Sequence, residues 1–530
     1  MKIYKLIIGL FVAATLFVAC DDALDLEPRG NLQLATFDSL DDYQGLWAKL
    51  YAGLILGGQQ GGDGNADIDG IDGGFSNYSR LYWKLQELST DEAIIAWTDE
   101  TIRDLHWQTW TPANQFTGAM YARISYQITI CNSFIRESTP AALDANGIPQ
   151  ADRAAILAFR NEARFLRAYS YYHGMDLFGS FPFTTEATAA DGSELPSFRT
   201  RAELFSFIEA ELLAVENELP APAATEYGRA GQGAVWMTLA KLYLNAEVYT
   251  GTPRYDDVIT FTNKVINGGY SVNTSLPYRN SFLADNDSNG AQSEFIWTAN
   301  YDGARTQTFG GTTFLSHAPV GGDMNAADYG LDSGWGGIRT TPQFVELFPG
   351  EENSLDGREN FFTAGQTKSI ANVGRFKDGF AVIKFQNLTS TNNPGVNLTF
   401  VSTDFPVYRL ADAYLMYAEA TIRGGAGGSN GDAIGYINTL RTRAYGNTSG
   451  NITAGQLNLD FILDERAREL HWEGHRRQDL VRFNQFTSNG VWEWKGNVQS
   501  GTTTPAFRNL YPVPTTQLRL NSNLIQNPGY

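Results

Sequence analysis

The run Asp285-Asn286-Asp287-Ser288-Asn289-Gly290 sets oxygen-bearing side chains at alternate positions ahead of a glycine, which is how a calcium-binding loop opens. The position where such a loop carries its bidentate glutamate holds Ile296, so Glu294 or a backbone carbonyl would have to complete the shell. The spacing predicts a structural calcium site built from Asp285, Asp287, Asn289 and Glu294, with a solvated Asn-Asp turn as the alternative. Asn65, Asp67, Asp69 and Gly70 form a shorter run of the same kind. His471-Trp472-Glu473-Gly474-His475 puts two histidines at i and i+4, but a zinc protease needs its glutamate directly after the first histidine, and the order here is wrong for metal catalysis. No G-x-S-x-G elbow or Walker loop occurs, and Gly57 to Gly64 lacks the Lys-Ser/Thr that phosphate binding needs. A glycosidase would need two carboxylates facing each other across a sugar, a distance that sequence cannot supply.

Two tryptophans carry a different chemistry. Trp97 is followed by Thr98-Asp99-Glu100, and Trp335 lies between Gly334 and Gly336-Gly337, so both rings sit beside polar or flexible chain. Sugars present flat C–H faces that pack on such rings, while their hydroxyls need fixed donors and acceptors. The bland alternative is a tryptophan buried against a loop.

Composition narrows the classes. With 39 basic and 58 acidic residues the net charge is -19, which repels nucleic acid and leaves no basic stripe for phosphates. Aromatics at 13% and 53 glycines suit long Gly-rich loops that carry exposed rings. Lys2 and Lys5 precede an apolar run from Leu6 to Val18 that ends at Ala19-Cys20, the order of an export signal. The run falls short of the roughly 20 residues that span a bilayer. Phe17-Val18-Ala19-Cys20 resembles a bacterial lipobox, so residues 1–19 are expected to be a signal peptide and Cys20 to be acylated. Asp21-Asp22 resembles the surface-export signal of Bacteroidetes lipoproteins, which implies the outer face of the outer membrane and a membrane link by lipid alone. With Cys20 acylated, Cys131 has no disulfide partner and reads as a small buried hydrophobe.

These residues must be held by helices. Helical periodicity marks Ser39 to Leu56, Gln115 to Arg136, Asp152 to Met175, Thr200 to Leu219, Gly233 to Tyr249, Tyr255 to Ile266, Arg409 to Arg423, Asp432 to Arg443 and Leu457 to His475. Trp236, Leu239 and Tyr243 keep the W-x2-L-x3-Y spacing of a tetratricopeptide repeat, and Tyr414 to Leu440 reads as a second helical hairpin of that kind. A mainly α fold is predicted, with a tetratricopeptide-like helical-repeat layer and a loop-rich half. The loop-rich regions run near 57–112 and 270–405, with short strands at Glu294 to Ala299 and Phe380 to Gln386.

A family resemblance rests on four stretches. Arg160 to Tyr169 with Asp176-Leu177-Phe178-Gly179 is one, and Arg409 to Ala420 with Ile437 to Ala444 another. Ile462 to Leu470 continues through Glu473-Gly474-His475-Arg476-Arg477 to Arg482, and the tail carries Tyr511-Pro512-Val513-Pro514 and Gln526 to Tyr530. In order and spacing the chain resembles the SusD/RagB family of outer-membrane nutrient-binding lipoproteins, and most closely its starch-binding member. The resemblance implies one unit over residues 20–530 that captures a glycan without cleaving it and passes it to a SusC-like TonB-dependent transporter. It implies an aromatic arc for an α-glucan such as starch or maltooligosaccharide at Trp97, Phe309 and Trp335, with Arg80 and Glu100 as polar partners. A different glycan, a glycoside hydrolase and a repeat scaffold that binds only proteins are the rival readings.

Overall fold

A computed structural model describes residues 37–530 apart from 63, 190–192 and 351–353. The expected leader, Cys20 and the Asp21-Asp22 pair lie outside the described residues. The chain is mainly helical, and the helices used below are α1 (Leu40–Ile55), α2 (Tyr78–Gln86), α3 (Gln115–Glu137), α4 (Gln150–Phe178), α5 (Arg201–Val215), α6 (Gln232–Leu244), α7 (Tyr255–Ile266), α8 (Gly311–His317), α9 (Leu410–Ile422), α10 (Asn430–Tyr445), α11 (Leu459–Leu470) and α12 (Arg476–Arg482). Their ends follow local chemistry. Ser39 and Asp42 form a capping box at the start of α1, Thr200 and Glu203 do the same for α5, and Asn458 caps α11.

The helical layer is a succession of neighbours: α3 packs on α4, α4 on α5, α5 on α6, α6 on α7, α7 on α9 and α9 on α10. The α6–α7 and α9–α10 hairpins are the two read from the sequence. Leu239 and Tyr243 are buried, and the half-buried Trp236 donates its Nε1–H to Glu216 at 2.8 Å. Tyr414 and Tyr436 stack across the second hairpin at 4.5 Å.

Two expected helices are broken. Gly233 to Tyr249 stops at Leu244, because Asn245 turns its Nδ2–H back onto the Lys241 carbonyl, and a short helix Ala246–Thr250 follows. Leu457 to His475 ends at Leu470; Trp472 (φ 63°) and Gly474 (φ 84°) then reverse the chain before α12. The N–H groups freed by that reversal, of Trp472, Gly474 and His475, donate to the buried carboxyls of Glu92 and Glu87.

Buried ion pairs clamp α10 and α11 to the loop half. Arg409 reaches Glu473 and Glu469 at 2.6 Å and Glu294 at 2.9 Å. Arg443 pairs with Glu294 and Glu469, and Arg358 with Glu465 and Glu469. Burial alone would raise the Glu469 carboxyl, yet Arg443, Arg409 and Arg358 overcome it and hold it at about 2.

In the loop half the strands are short. Four matter here: β1 (Ile94–Ile95), β2 (Phe295–Ala299), β3 (Ile338–Arg339) and β4 (Phe405–Arg409). Antiparallel β2 and β4 pair Phe295 with Arg409, while β1 and β3 pair Ile94 with Arg339 and Ile95 with Ile338. Of the strand expected over Phe380 to Gln386, only Ala381–Val382 forms, against Phe361–Phe362. One apolar cluster takes in Tyr43, the helical layer, Trp297, Ile338 and Leu524, so the loop half shares its core with the helices.

Candidate glycan-binding site

The β1–β3 pairing brings distant tryptophans together. It continues one step past the strands, where the Ala96 N–H donates to the Gly337 carbonyl at 2.7 Å. Trp97 therefore emerges beside the turn that carries Trp335, and its Nε1–H donates to the Trp335 carbonyl at 3.1 Å. A Cβ at Gly337 would overlap the Trp97 indole, so glycine is what lets the ring lie across this backbone. Arg103 secures the other side by donating to the carbonyls of Trp97, at 2.8 Å, and Ala96.

Trp335 is fixed by α8. Its N–H donates to the His317 carbonyl at 2.9 Å, and its ring stacks on the His317 imidazole at 4.8 Å and 21°. The His317 Nδ1–H donates to the Ser333 carbonyl at 2.7 Å, which sets the tautomer, and burial lowers the imidazole pKa so that the ring stays neutral. Phe309 lies 6.0 Å from Trp335 and 5.2 Å from Phe400.

Arg80 enters from α2, a helix inside the region read as loop. Asn77 caps it by accepting the Arg80 N–H at 3.0 Å. The Arg80 guanidinium lies 4.4 Å from the ring centres of both Phe75 and Phe314, and its Nη1 donates to the carbonyls of Phe309 at 2.9 Å and Gly74 at 3.2 Å. Arg80 thus ties Phe309 to the wall that carries Trp97.

These groups line one open cleft of about 380 Å³, together with Asp72, Phe75 and Asp99. Trp97 and Trp335 are 6.4 Å apart and inclined by 42°, and Trp335 and Phe309 are inclined by 59°. Successive rings therefore turn relative to one another and form a curved platform. All three are half-buried, so each keeps a face available for stacking.

The structure brings four of the five expected binding residues together: Trp97, Trp335, Phe309 and Arg80. Glu100 is not among them. It is exposed in left-handed backbone (φ 43°), and the chain reversal there leaves its neighbour Asp99 on the cleft instead. Sequence reasoning missed Asp72, Phe75, Asp99 and the supporting His317, because nothing in their local text shows which side chains face the cleft.

Glu294 is not free to complete the expected calcium shell. Glu294 is buried and both its carboxylate oxygens are taken by Arg409 and Arg443. Asp285 accepts the Ser390 N–H at 2.9 Å and hydroxyl at 2.7 Å and the Asn289 Nδ2–H at 3.0 Å, while Asp287 is exposed. Asp285 thus docks the 390 loop, and among the described residues no three of His, Cys, Asp and Glu are grouped to hold a metal. Asp67 of the shorter run is paired with Lys49 and Arg123.

The SusD family model matches residues 354–530. Over 99% of its length the chain is 34% identical to the starch-binding protein SusD of Bacteroides thetaiotaomicron, of which 99% is covered. The chain belongs to the SusD family. SusD-like protein P2 of Formosa agariphila is 26% identical, with 73% of this chain and 77% of that one covered. Among solved structures, a SusD superfamily protein of Bacteroides thetaiotaomicron superposes with a TM-score of 0.70 at 20% identity, over 92% of this chain and 100% of that one. Surface glycan-binding protein A of the same organism, in complex with laminarihexaose, gives 0.68 at 19% identity over 92% and 99% of the two chains. At those identities the superpositions speak for the fold alone: the SusD fold is a helical-repeat layer backing a loop-rich half, as described above.

Proposed function

We propose that this SusD-family chain is a non-catalytic glycan-binding protein that captures an α-glucan such as starch or maltooligosaccharide at the Trp97–Trp335–Phe309 cleft. The observation that carries the reading is the convergence of four side chains from three separate chain segments on one open, ring-walled, curved surface. The curvature suits a helical α-glucan better than a flat, extended polymer. The 34% identity to a starch-binding relative along nearly the whole chain supports the same ligand class. The other glycan to weigh is a β-glucan, since a fold relative carries laminarihexaose.

The cleft is open and covers one face of a sugar chain, so affinity per site is modest and a polymer gains by engaging many copies. Capture of this kind needs no bond cleavage. In the cell the protein is read as one unit over residues 20–530, anchored at the outer face of the outer membrane through an acylated Cys20. There it would deliver glycan to a TonB-dependent transporter. Among the described residues no helix is long and apolar enough to cross a membrane, which is compatible with that anchor.

Native electrophoresis through gels containing amylopectin, laminarin or levan, with a reducing-sugar assay on the same protein, tests the reading. Retardation by amylopectin alone, without release of reducing ends, is expected. Retardation by laminarin alone would move the assignment to β-glucans, and released reducing ends would make the protein an enzyme.

A further inference from the structure

A second cavity, sharing no lining residue with the glycan cleft, lies on the other side of α2, between that helix, α1, α4 and the β2–β4 pair. It measures about 360 Å³, inside the roughly 300–1,000 Å³ range of small-molecule pockets. Its walls are aromatic: Tyr82 stacks on His173 at 4.0 Å, Tyr169 lies 4.2 Å from the same imidazole, and Trp297 meets Tyr169 edge-on at 5.0 Å. The mouth includes Ala48 and Tyr227, both exposed.

Three polar groups on this wall have no partner. Among the described residues the hydroxyls of Tyr82 and Tyr169 hydrogen-bond to no other side chain or backbone group, although Tyr169 is only 7% exposed. The Trp297 Nε1–H is buried and unpaired as well. The two hydroxyls are open to the cavity rather than sealed within its wall, so a molecule inside can accept hydrogen bonds from them. The neighbouring polar groups are already committed: Tyr78 to His173, Tyr172 to Gln478, Tyr408 to Thr238 and Lys241 to His475.

The wall is also neutral. Burial raises the hydroxyl pKa of Tyr78, Tyr82, Tyr169, Tyr172 and Tyr408 and lowers His173 to about 3, so the phenols keep their protons and the imidazole takes none. Arg229 is paired with Glu162 and Glu226, and Glu473 with Arg409 and Lys384. A charged ligand would find no free counter-ion. A hexose, with a hydroxyl on nearly every carbon, would leave most of its polar groups facing rings.

From this cavity we infer a small-molecule site, distinct from the glycan cleft, for a neutral, planar compound of one or two rings whose oxygen accepts hydrogen bonds from the Tyr82 and Tyr169 hydroxyls. Its rings would stack within the walls of Tyr82, Tyr169 and Trp297, and its entry runs past Ala48.

Titration with prodan, a neutral naphthyl ketone whose emission shifts to the blue in apolar surroundings, tests this on the full folded chain. Saturable, blue-shifted binding is expected, weakened about five-fold or more by Tyr82→Phe or Tyr169→Phe. Ala52→Trp, which fills the cavity from α1, should abolish it, and Trp97→Ala and saturating maltoheptaose should leave it unchanged. Absence of saturable binding would overturn the inference, as would binding indifferent to both phenylalanine variants. Competition by maltoheptaose would also overturn it, by returning the probe to the glycan cleft. Circular dichroism of Ala52→Trp checks its fold, and the two phenylalanine variants decide the matter if it fails to fold.

Discussion

Trp97 and Trp335 hold each other through one hydrogen bond from an indole N–H to a main-chain carbonyl, so the platform depends on its backbone as much as on its rings. Gly337→Ala is expected to weaken glycan binding by roughly ten-fold with the fold intact, because the added Cβ pushes the Trp97 indole off its seat. Affinity electrophoresis beside a circular dichroism spectrum checks this, and unchanged retardation would mean that the ring's present orientation is not needed. Asp99→Ala should weaken binding, whereas Glu100→Ala should leave it within about two-fold, since only the first carboxylate lines the cleft. The sequence made the tryptophans visible because they stand beside glycines and polar residues. It hid Asp99 behind Glu100, because one left-handed residue decides which of two adjacent carboxylates faces the ligand.

At the scale of elements, a buried ion-pair cluster joins α10 and α11 to the loop half. Glu469 is shared by Arg358, Arg409 and Arg443. Glu469→Gln should destabilise the protein by about 3–5 kcal/mol, because it leaves guanidinium groups buried with too little counter-charge. Urea unfolding measures this, and a loss below about 1 kcal/mol would mean that the cluster is dispensable. The helical layer was legible in advance because its apolar residues recur with the helical period. Helix α2 was not, since Tyr78 to Gln86 buries nearly every side chain, Lys84 and Gln86 included, and so shows no polar face. The Asp285 loop has the spacing of a cation site, but only the fold shows that Glu294 belongs to two arginines.

For the molecule as a whole, acid should be destabilising. All five histidines, His106, His173, His317, His471 and His475, are buried, and burial lowers every imidazole pKa, to about 3 for His173 and His475. Below about pH 6.5 the unfolded chain takes up protons that the folded one refuses, so stability present above that pH is lost as it falls, by about 1.4 kcal/mol per pH unit for each unopposed imidazole. Glu87 and Asp404, raised by burial to about 7, and Glu92, also raised, act in the opposite sense and cancel part of the loss. The melting temperature is therefore expected to fall between pH 7.5 and pH 5, and a rise would show that the raised carboxyls outweigh the imidazoles. The most direct test of the central claim is calorimetric titration of maltoheptaose into the protein and into its Trp97→Ala and Trp335→Ala variants. Measurable binding to the first and a loss of about 2 kcal/mol, near thirty-fold, in each variant is the predicted result. Undiminished binding in both variants would contradict the account, because the glycan would then be held somewhere other than this platform.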